Sequence, residues 1–163
     1  MSRKNSFPPV VRGDTRVLIL GSLPGERSLA AGRYYAHPQN HFWRLVGPAI
    51  GTDLEALPYE ARLDALLAAG IGLWDTVASA TRIGSLDAAI REAEHNPLGK
   101  LVAALPELRA VAFNGAASAK IGTAALAGCD LALLRLPSSS PAYAAMSVAE
   151  KRRLWAAIGE FLG

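Results

Sequence analysis

The chain reads as an α/β protein: a three-layer α/β/α sandwich around a central, mainly parallel four-stranded sheet. Three observations predict this class. Four short apolar runs, Val17–Leu20, Ile71–Trp74, Ala110–Phe113 and Leu131–Leu136, have the length and flanking of buried strands. The segments between them carry helical spacing instead, and strands alternating with helices imply parallel pairing through right-handed crossovers. The length, 163 residues with 51% apolar and 19% charged, suits one domain with a single substantial core.

The elements follow in order. The opening MSRKNSFPPV is basic but has no apolar stretch behind it, so it is not a signal peptide. Residues 1–15 read as a flexible N-terminal tail and 16–163 as one α/β domain. Gly21-Ser-Leu-Pro-Gly25 breaks the first strand, and a helix begins around His41-Phe-Trp-Arg-Leu-Val46. Leu63, Leu66 and Leu67 share a helical face that Gly70 caps ahead of the second strand. Asn96-Pro97 reads as a cap followed by proline at the first helical position, with Leu98, Leu101, Val102 and Leu105 on one face. Ala116–Leu126 is a small-residue helix suited to close packing on the sheet. Ser147 and Glu150 have capping-box spacing before Leu154, Trp155, Ile158 and Leu162, while Lys151-Arg152-Arg153 reads as a solvated helix face.

Composition excludes several classes. No apolar run approaches the roughly 20 residues of a membrane span. One cysteine, Cys129, rules out an internal disulfide, and with three histidines it makes no metal site, so no metal or other cofactor is expected. A reducing cytoplasm is the natural setting. The net charge of +3 and pI near 9.3 permit contact with nucleic acid without requiring it, because much of the excess comes from Arg3, Lys4, Arg12 and Arg16.

In parallel sheets the ligand sits beyond the carboxyl ends of the strands. Those ends deliver Ser22, Asp75, Asn114 and the run Ser138, Ser139 and Ser140 to one rim. The loop after the first strand adds Tyr34, Tyr35, His37-Pro38 and Asn40 within seven residues. Aromatic faces mixed with amides and imidazoles suit a flat, polar-edged ligand such as a nucleobase.

Three blocks then carry a resemblance: GSLPG at 21–25, YYAHPQNHFW at 34–43 and LPSSSP at 136–141. In content and order they resemble the uracil-DNA glycosylase superfamily, nearest its mismatch-specific branch and the hypoxanthine (deoxyinosine) DNA glycosylases. The mismatch branch carries GINPG and, equally far downstream, FAHPANRFW. The departures are specific. Leu23 stands where GINPG has its water-activating Asn, and Leu136 stands where the uracil enzymes open their HPS motif with His. The resemblance moves the catalytic amide to Asn40, aligns Tyr35 with the phenylalanine that stacks on the flipped base, and aligns Asp75 with a base-reading Asn. It places Ser138, Ser139 and Ser140 on the loop that pinches DNA phosphates, with Tyr143 as a wedge.

Hydrolysing a base–sugar bond requires an extruded nucleotide, a base held by its polar edge and a water at the anomeric carbon. Asn40 either steers that water through its amide oxygen or caps the helix after it. Asp75 either reads the ring N–H of hypoxanthine, accepting where adenine would also present an acceptor, or caps a turn with Thr76. His37 either stabilises charge or shapes the His-Pro turn. Ser22, Leu23 and Asn114 are assigned to the base pocket, Asn114 with the alternative of closing a turn before Gly115.

The resulting expectation is a monomeric, cytoplasmic, monofunctional DNA-repair glycosylase acting on DNA with deaminated bases, hypoxanthine first and uracil or xanthine second. It has no lysine in the motif blocks for strand nicking. The rivals are a non-catalytic nucleic-acid-binding member of the same fold, motivated by Leu23 and Leu136, and a nucleoside hydrolase.

Overall fold

The computed structural model describes residues 3–163. Four strands, β2 (Val17–Gly21), β3 (Ile71–Asp75), β6 (Ala110–Asn114) and β7 (Ala132–Leu136), form one sheet in the order β3-β2-β6-β7, every pair parallel. The first three are buried at every position, as strands covered on both faces must be.

Strand alternation sorts the core into two halves. Val17, Ile19, Ile71, Leu73, Ala110 and Ala112 face α2 (Phe42–Ile50), α3 (Tyr59–Ala69), α6 (Val148–Trp155) and the C-terminal 3-10 turn Ala156–Phe161. Leu18, Leu20, Val111 and Phe113 face α4 (Leu98–Ala103) and α5 (Ala116–Ala125). The expected three layers are therefore present. The small residues of α5 act as anticipated: a Cβ at Gly122 would stand 2.1 Å from the Phe113 ring, so only glycine lets this helix lie so near the sheet.

Three features depart from the sequence reading. The segment expected as a flexible tail runs along the domain: β1 (Lys4–Asn5) pairs antiparallel with β4 (Val77–Thr81), and Val10 bridges to Leu73. Arg3 donates to the Ser79 and Glu92 carbonyls, and Lys4 pairs with Glu26, so these charges brace the fold. A second, three-stranded antiparallel sheet, β1-β4-β5, is completed by β5 (Arg91–His95), whose fully exposed REAEH carries no apolar alternation. Asn96 does not cap α4; its amide donates to the Asp75 carbonyl at 2.8 Å and ties the two sheets together, leaving Pro97 at the cap position.

Candidate active site

The ends of β2, β3, β6 and β7 open onto one cavity of about 300 Å³. Its walls include Ser22, Leu23, Tyr35, His37, Asn40, Asp75, Asn114, Ser138, Ser139 and Ser140. Every side chain that the sequence assigned to base binding or catalysis therefore meets in one place. Tyr143 stands apart on the outer loop, 40% accessible.

Tyr35 is held by strain and by packing. Its φ of 52° is left-handed, a conformation that bulky residues adopt only when their surroundings impose it. The Trp43 indole N–H donates to its carbonyl at 3.1 Å, and its ring lies on Phe42 with centroids 3.8 Å apart and planes 3° from parallel. One ring face is thus covered by Phe42, and Tyr35 lines the cavity from that support. Tyr34, by contrast, is a core residue, 4% accessible, whose hydroxyl donates to the Pro8 carbonyl.

Asp75 ends β3 at the cavity floor, 3% accessible. Its Oδ2 is buried without a hydrogen-bond partner, so the turn-capping alternative for this side chain does not hold. Burial, then the Asp87 carboxylate, push its pKa up from 3.8 to about 7, with Arg82 opposing. Gly21 makes the approach possible: a Cβ there would lie 2.6 Å from Asp75 Oδ1 and 3.2 Å from the Tyr35 hydroxyl.

Asn40 stands one residue before His41, the N-cap of α2, and lines the cavity. Its Oδ1 accepts the Phe42 N–H at 3.0 Å, the first free donor of α2. An amide oxygen has two lone pairs, so one remains for a water proton. His37 Nδ1 accepts the Gln39 N–H at 3.1 Å, which shapes the turn and leaves Nε2 as the donor nitrogen of a neutral ring.

Two of the assigned residues hold each other in place. Both ends of the Asn114 amide are engaged inside the protein: Oδ1 accepts the Ser139 N–H at 2.8 Å, and Nδ2 donates to Ser139 Oγ at 2.9 Å and towards the Tyr35 hydroxyl at 3.4 Å. Asn114 thereby ties the cavity walls together, and the second lone pair of its Oδ1 is left for a base. Ser139, 1% accessible, is turned inward by the same contacts. Ser138 and Ser140 accept the backbone N–H groups of Ser140 and Ala142, forming consecutive hydroxyl turns that fold the loop. The loop is also tied to the Tyr35–Trp43 block through His41 N–H to Ser139 O at 2.9 Å.

Sequence reasoning missed three contributors. Asp87 accepts the Ser22 hydroxyl at 2.5 Å and lines the cavity from the β4–β5 connection. Arg82 is 3% accessible and donates to the Pro24 carbonyl, holding the GSLPG turn in place. Lys151 is not solvated: it is 1% accessible beneath the Ser138–Tyr143 loop, over the Tyr143 ring and 3.4 Å from the Ser140 carbonyl. A signal for Lys151 existed, because it lies one helical turn before Trp155 on the buried face of α6. Among the described residues, no three His, Cys, Asp or Glu side chains cluster as metal ligands.

A sheet rim that walls a base-sized cavity with a backed aromatic ring, an unpartnered carboxyl and an amide defines a base-excision site. The chain belongs to the uracil DNA glycosylase superfamily, whose family model matches residues 8–159. It is 42% identical to a hypoxanthine DNA glycosylase of Methanosarcina acetivorans over 139 residues, covering 85% of this chain and 87% of that protein. It is 46% identical to a hypoxanthine DNA glycosylase of Methanosarcina barkeri over 113 residues, covering 69% of this chain and 72% of that protein. The solution NMR structure of a candidate uracil DNA glycosylase from Methanosarcina acetivorans superposes with a TM-score of 0.88 at 38% identity, over 99% of both chains.

Proposed function

We propose that this protein excises hypoxanthine from deoxyinosine-containing DNA by hydrolysis, leaving an abasic site, with uracil and xanthine as secondary substrates. The observation that carries the reading is the Asp75 carboxyl, buried on the cavity floor with no partner in the protein. A buried polar group without a hydrogen bond costs about 1–3 kcal/mol, so a site that retains one is built to receive a ligand's polar edge. The two relatives named as hypoxanthine DNA glycosylases support the choice of base.

The extruded base stacks on Tyr35. In its acid form Asp75 donates its O–H to the O6 of hypoxanthine while its carbonyl accepts the N1–H, a lactam–acid pair. This form also removes the repulsion between a carboxylate and a departing purine anion. As the N9–C1′ bond breaks, its electron pair moves into the purine and the Asp75 hydrogen bond strengthens. A water held by the free lone pair of Asn40 adds its oxygen to C1′; its lost proton and the proton gained by the purine balance through solvent. A neutral amide is a weak base, so geometry and leaving-group stabilisation supply the rate. Among the described residues no lysine lines the cavity, so the abasic aldehyde meets no lysine amine there and strand cleavage is not expected. The acid form of Asp75 pairs with adenine as well, so rejection of adenine rests on extrusion, which costs less for a mispaired deoxyinosine than for a paired base.

The same reading includes a monomer in a reducing cytoplasm. It is supported by few exposed large apolar side chains and one half-buried free cysteine. The test is a panel of duplexes containing deoxyinosine, uracil, xanthine or adenine at one position, with abasic sites revealed by alkali. Hypoxanthine is expected to leave fastest. No product from any lesion points to a non-catalytic binding module, and release of hypoxanthine from free inosine points to a nucleoside hydrolase.

A further inference from the structure

The loop after β7 gives one wall of the cavity its residues Ser138 to Ala142, and its carbonyl oxygens are drawn into the protein. Leu136 O accepts the Gly115 N–H at 3.0 Å, Pro137 O the Trp155 indole N–H at 2.9 Å and Ser139 O the His41 N–H at 2.9 Å. Ser140 O accepts the Tyr143 N–H at 3.1 Å and the Lys151 ammonium at 3.4 Å. These peptide groups therefore turn their negative ends inward instead of towards a ligand. Most of the donors are neutral, and Lys151 is the exception. It is 1% accessible, with the Tyr143 ring 5.2 Å from its Nζ, and among the described residues no carboxylate lies within ion-pair distance of it. Burial first, then Lys151 and Arg44, hold the His41 imidazole below its ordinary pKa, so the ammonium meets like charge on that side.

A buried charge without a counterion weakens a fold. The Trp155 indole, one helical turn further along α6, holds Pro137 O with no such cost, so fastening the loop does not require an ammonium. The charge at Lys151 is surplus to folding, and what it lacks is an anion. A nucleotide that enters the cavity base first leaves its flanking phosphodiesters at the mouth, beside this loop, and the weakly polarisable interior carries the field of the ammonium across one layer of peptide. We infer that Lys151 is a positioning residue for the DNA strand. Through the Ser140 carbonyl it sets the shape of the serine wall, and its unpaired charge, acting through the loop, draws a backbone phosphate of the extruded nucleotide onto that wall. This rests on the glycosylase reading above and adds a residue that gives up stability in the free protein for a firmer hold on the strand.

The experiment compares the wild type with Lys151→Met, which keeps the aliphatic stem and drops the charge, and with Lys151→Arg, which keeps the charge. Binding to a duplex carrying an abasic-site analogue is measured across a salt series, beside thermal unfolding and single-turnover excision of hypoxanthine at saturating enzyme. Lys151→Met should melt no lower than the wild type at pH 7, yet bind about tenfold or more weakly at low salt. Its affinity should also fall less steeply with salt, because about one phosphate fewer is neutralised. The loss should fall on affinity more than on the saturating excision rate, and Lys151→Arg should recover most of it. A methionine variant that melts markedly lower and loses rate and affinity alike would show a purely structural role and overturn the inference. Wild-type affinity with an unchanged salt slope, or an arginine variant as weak as the methionine one, would overturn it too. Weaker and less salt-sensitive binding by Lys151→Met, in a protein that excises no hypoxanthine, would support the role of Lys151 and overturn the base assignment.

Discussion

Replacing Asp75 by Asn keeps a donor and an acceptor at the cavity floor and removes the titration. In the wild type the carboxyl is held at about pKa 7 by burial first and by Asp87 second. If excision requires the acid, roughly nine-tenths of the sites are competent at pH 6 and roughly one-tenth at pH 8, so kcat/KM falls about tenfold across that interval. Asp75→Asn mimics the acid at every pH and should flatten the profile, overtaking the wild type in the alkaline range. Stability gives a second readout. The carboxyl ionises near 3.8 in the unfolded chain and near 7 in the fold. The unfolded chain is therefore favoured progressively as pH rises between those values, and by a constant amount above the upper one. At about 1.4 kcal/mol per pKa unit the cost reaches about 4 kcal/mol at alkaline pH. The variant recovers part of it, less about 1–3 kcal/mol for an amide buried without partners. It should therefore melt higher than the wild type at pH 8, by a shift on the order of 5 °C, and not at pH 4.5. The assays are single-turnover excision from pH 5.5 to 9 and thermal unfolding at pH 4.5 and 8. A variant that retains the wild-type pH dependence, or melts identically at both pH values, refutes the acid form of Asp75 as the working species.

Other perturbations follow from the same contacts. Asp87→Asn removes a charge that raises the Asp75 pKa, so the alkaline fall in activity should begin at lower pH; an unmoved profile would show that burial alone sets it. Gly21→Ala places a methyl 2.6 Å from Asp75 Oδ1 and should cost about tenfold or more in excision by displacing the base-reading group, with binding to an abasic-site duplex as the control. Lys151 is a buried cation without an acidic partner, and burial lowers its pKa, so it weakens the fold most when pH is low enough to keep it charged. Lys151→Met should raise the melting temperature at pH 7, and a marked fall would show that its contacts with Ser140 and Tyr143 outweigh its desolvation.

What is legible in this sequence, and what is not, follows from where the signals are local. Strands β2, β3 and β6 are near-continuous apolar runs because both of their faces are covered, and β3 and β6 end at Asp75 and Asn114 on the rim. The glycine cap at 70 and the Ser147–Glu150 pair mark helix ends through backbone geometry that depends only on neighbouring residues. Strand β5 is silent, since its residues are polar and exposed and its pairing with β4 alone defines it. Asp87 and Arg82 are silent for the same reason: only that second sheet folds their turn onto the cavity. The inward turn of Ser139 also depends on a distant partner, because Asn114 lies 25 positions away. Residue types thus located the site, whereas long-range hydrogen bonds decided which of its polar groups remain free.

The central claim is that one cavity stacks an extruded purine on Tyr35 and reads its edge through Asp75 while Asn40 steers water to the sugar. Its most direct test is the single-turnover rate of hypoxanthine release by Asn40→Ala, measured beside its affinity for a duplex carrying an abasic-site analogue. The account predicts a loss of about 100-fold or more in rate, the scale of a positioned catalytic group, with affinity within a few-fold of wild type. A variant that melts earlier through its lost bond to the Phe42 N–H, yet releases hypoxanthine at the wild-type rate, would contradict it.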